Sequence, residues 1–167
     1  MPYEFQHVRR VEFSDTDMAG IMHFSNFFRF MESAETAFMR SLGLSVVLSS
    51  CGLDLCLPRV HAECDYQAPV RFEDEVTVHL LVEKLSTRTL TYQFRFRKST
   101  GGAAQEIARG RLVVVCASRA ADGAMKAVPL PQALVEQLQE APAALLANGT
   151  IRQGKTPAAQ NVSPSKV

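Results

Sequence analysis

From about Phe24 to Leu42 the chain sets Phe27, Met31, Ala34, Phe38 and Leu42 at steps of three and four, with no proline or glycine before Gly43. That spacing predicts an amphipathic helix. Phe24, Phe28 and Phe30 widen its apolar arc, so the helix is expected to be largely enclosed. Gly43 is its expected stop, because glycine adopts the left-handed conformation that closes a helix without a steric cost. Arg29, Ser33, Thr36 and Arg40 mark the opposite face. A helix that is apolar over so wide an arc must be wrapped by something, and the rest of the chain supplies strands.

Phe5 to Phe13 alternates well enough for a first strand, with Phe5, Val11 and Phe13 on one face. Leu55 to Tyr66 is a second candidate, ending before Pro69. Val76, Val78, Leu80 and Val82 alternate with Thr77, His79, Leu81 and Glu83, and Leu90, Tyr92, Phe94 and Phe96 with Thr91, Gln93, Arg95 and Arg97. This period of two belongs to strands with one buried face. Ser86-Thr87-Arg88 and Lys98 to Gly102 are the turns between them, and valine-rich Ile107 to Ala117 is expected to be the more central strand. Asp122-Gly123 marks a further turn, and Pro131 opens a short helix holding Leu134, Val135 and Leu138. One α+β domain over residues 1–140 follows: a mostly antiparallel sheet wrapped around one long helix. Its open sheet edges favour pairing with a second copy.

Residues 141–167 lose aromatics and gain Ala, Pro, Gln, Ser and Lys, so a disordered tail is expected there. A net charge of +1 offers no argument for nucleic acid or an acidic membrane. No basic segment followed by an apolar one opens the chain, and no apolar run approaches the ~20 residues of a membrane span. The four cysteines, Cys51, Cys56, Cys64 and Cys116, fall at no zinc or CxxC spacing. They read as reduced thiols, no metal is expected, and the cytoplasm is the expected compartment.

Between the first strand and the helix lies Asp15-Thr16-Asp17-Met18-Ala19-Gly20-Ile21-Met22-His23-Phe24. An isolated Asp-x-Asp is most often a turn whose side chains bond local backbone. Here, however, the carboxylates lie just before the N-terminus of a long helix, where free N–H groups and the helix dipole favour developing negative charge. A thioester or ester carbonyl placed there would meet both a carboxylate and an oxyanion donor.

The segment resembles the active-site motif of the 4-hydroxybenzoyl-CoA thioesterase family: Asp-x-Asp-x-x-Gly, apolar positions, an aromatic-rich turn and the central helix. The similarity continues through Leu57-Pro58-Arg59-Val60-His61-Ala62, Tyr66-Gln67-Ala68-Pro69, Phe72-Glu73-Asp74-Glu75 and Arg111 to Cys116. It covers roughly residues 5 to 130. The resemblance implies a hotdog fold, a homodimer assembled further into tetramers, and hydrolysis of an acyl-CoA to acid and CoA without a cofactor. It assigns catalysis to Asp17, support of the loop to Asp15, and the oxyanion bond to the backbone N–H of Phe24.

For the acyl group the candidates are His23, Phe27 and His61. His23 is equally readable as a turn residue facing solvent, and His61 as a structural histidine; a like Val-His-Ala in 1,4-dihydroxy-2-naphthoyl-CoA thioesterases brings it into consideration. For CoA the candidates are Ser86, Arg88 and Thr89, whose turn matches one that contacts the nucleotide in relatives; Lys84 is secondary. Glu32 and Glu35 read as solvated or ion-paired helix residues. Two alternatives stay open: a hydroxyacyl-thioester dehydratase, which His23-Phe24 resembles although Ser25 stands where that group has proline, and a non-catalytic acyl-binding subunit.

Overall fold

The computed structural model describes residues 1–46, 48, 55–100, 103–120 and 122–147. Cys51, the Gly101-Gly102 part of the turn expected over Lys98 to Gly102, and residues 148–167 of the expected tail therefore lie outside the described residues. A five-stranded antiparallel sheet runs in the order β1 (Glu4–Arg10), β4 (Glu75–Leu85), β5 (Thr89–Thr100), β6 (Ala103–Val115), β3 (Arg59–Tyr66). A small second sheet joins β2 (Leu55–Cys56), β7 (Ala117–Arg119) and β8 (Met125–Ala127). The long helix α1 (Asn26–Ser41) lies on one face of the main sheet, and short helices α2 (Gln132–Val135) and α3 (Ala143–Ala147) follow the strands. This is the hotdog arrangement, α+β as expected.

Burial follows the helical period on α1, while β4 and β5, expected to bury one face, bury both: His79, Leu81, Thr91, Gln93 and Arg95 are buried along with the apolar row. On α1, Phe27, Phe30, Met31, Ala34 and Phe38 are buried, against Val76, Val78, Leu80 and Val82 of β4 and Leu90, Tyr92, Phe94 and Phe96 of β5. Each large side chain so enclosed contributes about 1.5–3 kcal/mol. The helix approaches β6 at Gly110, where a Cβ would collide with Met31 Sδ. It ends as the glycine predicts. Gly43 sits at φ 71°, its N–H bonds to Arg40 C=O, and the Leu44 N–H bonds to Met39 C=O, the pair of bonds that closes a helix on a left-handed residue.

Four expectations change. The first strand stops at Arg10, and Phe13 is 78% exposed in a 3-10 turn spanning Phe13–Asp15. The candidate strand Leu55 to Tyr66 is two strands in different sheets, divided at Leu57-Pro58, because proline has no N–H to continue a ladder. The middle strand is β5, with β6 beside it. Residues 141–147, expected in the tail, are placed on the domain: the Ala141 N–H bonds to Val82 C=O, and Arg95 donates to Leu145 C=O of α3.

Candidate active site

The acidic loop is a small hairpin. Thr16 and Met22 form a β-bridge, the Asp17 N–H bonds to Ile21 C=O at 2.9 Å, and the Gly20 N–H bonds back to Asp17 C=O at 2.9 Å. Gly20 turns the chain with φ 70°, which a side-chain-bearing residue adopts only at a cost. Seven residues apart in sequence, Asp17 and Phe24 are thereby folded onto one cleft.

The two aspartates differ in what surrounds them. Asp15 is buried, and its Oδ2 accepts the Glu12 N–H at 2.9 Å. Its carbonyl accepts both the His23 N–H and Asn26 Nδ2 at 2.8 Å each. Asp15 thus ties the loop to the first turn of α1. Asp17 is exposed, with Oδ1 accepting the Ala19 N–H at 2.8 Å. The side chain is held from one oxygen and open to solvent at the mouth of the cleft.

At the helix start, His23 C=O accepts the Asn26 N–H at 2.9 Å and Phe24 C=O accepts the Phe27 N–H at 3.4 Å. Ser25, the N-cap, makes no side-chain cap bond. Its hydroxyl instead lies 2.8 Å from His23 Nδ1, and its N–H points to the same nitrogen at 3.4 Å. Among the described residues no protein group accepts the Phe24 N–H, and it stands at the positive end of α1.

The cleft holds about 370 Å³. Asp17 and Phe24 stand at it together with Ile21 and Met22 from the hairpin, Phe27 from α1, Tyr66 from the end of β3, and Pro69 and Val70 from the following loop. The Met22 N–H bonds to Val70 C=O at 2.7 Å, stitching two walls together. The Phe27 ring meets Tyr66 and Phe96 edge-on at 5.0 and 5.3 Å. The Tyr66 hydroxyl donates to Phe24 C=O at 3.1 Å. Burial, followed by Cys64 and Asp65, pushes the Tyr66 phenol up to about 12, so it remains a donor across the range in which enzymes work.

Of the residues expected from sequence, Asp17, Phe24 and Phe27 meet at this cleft and Asp15 supports it. His23 lies beside the cleft, stacked on Phe24 at 4.3 Å, but is not on its wall. His61 is half exposed, with Nε2 3.3 Å from Glu63 Oε2, and also lies off the wall. The turn carrying Ser86, Arg88 and Thr89 stands elsewhere. Tyr66 shares a cross-strand row with Ala108, Phe96 and Val78, and Leu85 is seven residues farther along β4, or about 23 Å at strand rise. Within one chain, that turn is at the other end of the sheet. The turn is itself well fixed, since the Ser86 N–H bonds to Thr89 C=O, and Thr87 and Arg88 carbonyls accept the Leu130 and Cys116 N–H groups.

Tyr66, Met22, Val70 and Asn26 are not among the residues expected at the site. Tyr66 falls inside a segment that carries the family resemblance, but its partner Phe24 is 42 positions away, so only the fold reveals the contact. Glu35 takes the ion-paired one of its two expected readings, with Arg59, but from a fully buried position, and its Oε1 has no partner among the described residues. Burial outweighs the Arg59 attraction, and its carboxyl is pushed up to about 7. Glu32 is exposed and reaches the same Arg59 at 3.5 Å.

The profile of the Thioesterase-like superfamily matches residues 11–138. A protein of Aquifex aeolicus (strain VF5) is 39% identical over 95 residues, 56% of this chain and 71% of that one. The structure of a 1,4-dihydroxy-2-naphthoyl-CoA thioesterase from Synechocystis superposes with a TM-score of 0.68 at 29% identity, covering 80% of this chain and 94% of that one. The 4-hydroxybenzoyl CoA thioesterase from Pseudomonas sp. strain CBS-3 superposes with a TM-score of 0.72 at 19% identity, covering 81% and 99%. At that identity the last comparison speaks for the fold alone.

Proposed function

This chain belongs to the Thioesterase-like superfamily, and from that premise we propose that it hydrolyses a small acyl- or aroyl-CoA to the free acid and CoA, with Asp17 as nucleophile or general base and the Phe24 N–H as oxyanion donor. One observation carries the reading: the hairpin sets an open carboxylate, that of Asp17, and Phe24, whose N–H at the helix start has no acceptor among the described residues, on the same apolar cleft. As the carbonyl carbon is attacked, its oxygen gains charge, which the N–H and the helix dipole stabilise. Collapse expels the thiolate of CoA. An ordinary thiol has a pKa of about 8.5, so no strong acid is needed to protonate the leaving group. A water supplies the hydroxyl of the acid, either directly or by opening a mixed anhydride on Asp17. The reaction needs no cofactor.

Asp17→Asn keeps the side chain's shape and its bond from the Ala19 N–H while removing the charge. Thiol release from an acyl-CoA panel is expected to fall by at least about a thousandfold, with an unchanged melting temperature. Wild-type kcat in the folded variant would sink the assignment.

The Ser86–Thr89 turn is retained as the CoA contact, offered to the cleft of a second copy, because its own cleft lies at the far end of the sheet. This reading needs a homo-oligomer, a dimer or dimer of dimers. A cytoplasmic setting is in keeping with the free thiols of Cys56, Cys64 and Cys116. Among the described residues no helix is long and apolar enough to cross a membrane. The dehydratase alternative draws no support from the site, since His23 is off the cleft wall and its Nδ1 is taken by Ser25.

A further inference from the structure

The core-facing row of β5, Leu90, Tyr92, Phe94 and Phe96, runs on into Lys98, which faces the fully buried Val76 of β4 two residues beyond the Phe96–Val78 pair. An ammonium at the end of a core row has to reach out of it for polar partners. Lys98 Nζ finds two, donating to Pro69 C=O at 3.1 Å and to Asp74 Oδ2 at 3.2 Å. The Lys98 side chain is only 17% exposed in this arrangement.

Both partners belong to the connection between β3 and β4, whose Pro69 and Val70 form part of the cleft wall. The same Asp74 oxygen accepts the Arg71 N–H at 2.8 Å. The Glu73 N–H bonds to Val11 C=O and the Val11 N–H to Asp74 C=O, each at 2.9 Å. Amid these bonds Glu73 holds φ 68°, a left-handed conformation that a side-chain-bearing residue adopts only at a cost. A backbone strained in this way keeps its shape because its surroundings fix it.

A bonded path leads from Lys98 to the acidic hairpin. Lys98 holds Pro69 C=O, the next carbonyl along, that of Val70, accepts the Met22 N–H at 2.7 Å, and Met22 is bridged to Thr16, the residue before Asp17. Lys98 itself is not on the cleft wall. We propose that Lys98, paired with Asp74, is a positioning residue for the reaction: it sets the Pro69–Val70 wall against the hairpin, and through the hairpin the place of the Asp17 carboxylate at the cleft. This rests on the thioesterase reading and adds to it a residue that acts only through others.

The test is thiol release from an acyl-CoA panel by the full-length wild type, Lys98→Met, Asp17→Asn and the double variant, with melting temperatures measured alongside. Lys98→Met keeps the apolar stem and removes the charge and the donor. A small misplacement of a reacting group costs up to about a hundredfold in rate, so kcat is expected to fall by about 10- to 100-fold in Lys98→Met. In the Asp17→Asn background the same change is expected to alter the residual rate less than about twofold, because the group it positions is already disabled. Asp74→Asn keeps an oxygen for the Arg71 N–H but breaks the ion pair. It is expected to show a smaller loss of kcat with the same dependence on Asp17, and it carries the test if Lys98→Met does not fold.

Wild-type kcat with a lowered melting temperature would make the pair merely structural. A loss as large without the Asp17 carboxylate as with it would place the effect elsewhere. Either result overturns the inference and leaves the thioesterase reading standing, since the wild type still turns over. No thiol from any acyl-CoA with the wild type overturns that reading, and the inference with it.

Discussion

Glu35 is a carboxyl group fully buried on α1, facing Arg59 with one oxygen, while among the described residues its other oxygen and the buried Tyr92 hydroxyl nearby have no partner. Burial disfavours its charged form more than Arg59 favours it, which holds the carboxyl up to about 7, above its ordinary 4.5. The folded state therefore keeps a proton that the unfolded state releases between these values. The stability gained is full below about 4.5 and is lost as pH rises through 7. The difference is about 3 kcal/mol at 1.36 kcal/mol per unit. Urea denaturation of wild type at pH 5 and pH 8 is expected to show that loss, and Glu35→Gln, neutral throughout, is expected to flatten it. A variant with the wild-type pH dependence would assign the effect elsewhere. Asn26 presents a different case at this scale. Its side-chain bond to Asp15 C=O joins the acidic loop to the helix, so Asn26→Ala is expected to cost about 1 kcal/mol of stability and to lower kcat in the thiol-release assay.

Between elements, spacing and contact carry different information. The three-and-four pattern located α1 to within two residues at its start, and the alternation in β4 and β5 located the row that faces α1 but not the burial of the opposite row, His79, Leu81, Thr91, Gln93 and Arg95. Nothing local divided Leu55–Cys56 from Arg59–Tyr66 between two sheets beyond the proline between them. The role of Gly110 is likewise invisible until α1 lies across β6. Gly110→Ala would drive a methyl against the end of Met31, and because that side chain can partly swing aside, a loss of about 1–3 kcal/mol is expected by chemical denaturation. The C-terminal boundary is another matter of contact. Arg95 is buried on the sheet and finds a carbonyl of α3, so a short alanine-rich stretch is held by a residue about fifty positions upstream. A chain ended after Ala147 is expected to melt near the full-length value. One ended after Glu140 is expected to lose about 1–3 kcal/mol as the buried guanidinium loses its partner.

For the whole molecule, the open features fall at the cleft and the sheet edges. Met18, Phe24, Tyr66 and Phe72 are exposed around the acidic loop and its neighbours, while Val60 on β3 and Val8 on β1 are exposed on the two edge strands. Exposed apolar side chains and unpaired strand edges are what a second copy covers. If Arg88 of one copy serves the cleft of another, Arg88→Ala is expected to raise KM with little change in kcat. Co-assembled Asp17→Asn and Arg88→Ala chains should then turn over dilute substrate faster than the sum of the separate variants. Simple additivity, or a monomer by sedimentation, would count against a shared site.

The amino-acid sequence by itself determined the long helix, the apolar rows of the central strands, and the loop that presents Asp17 ahead of a helix. Those depend on spacing within one segment, where the 3.6- and 2-residue periods set which side chains share a face. Tertiary structure alone decided which faces meet. It joined Tyr66 to Phe24, buried Glu35, placed α3 on Arg95, and separated the Ser86–Thr89 turn from the cleft by the length of a strand. These outcomes depend on register and packing between segments far apart in the chain, which no local period encodes.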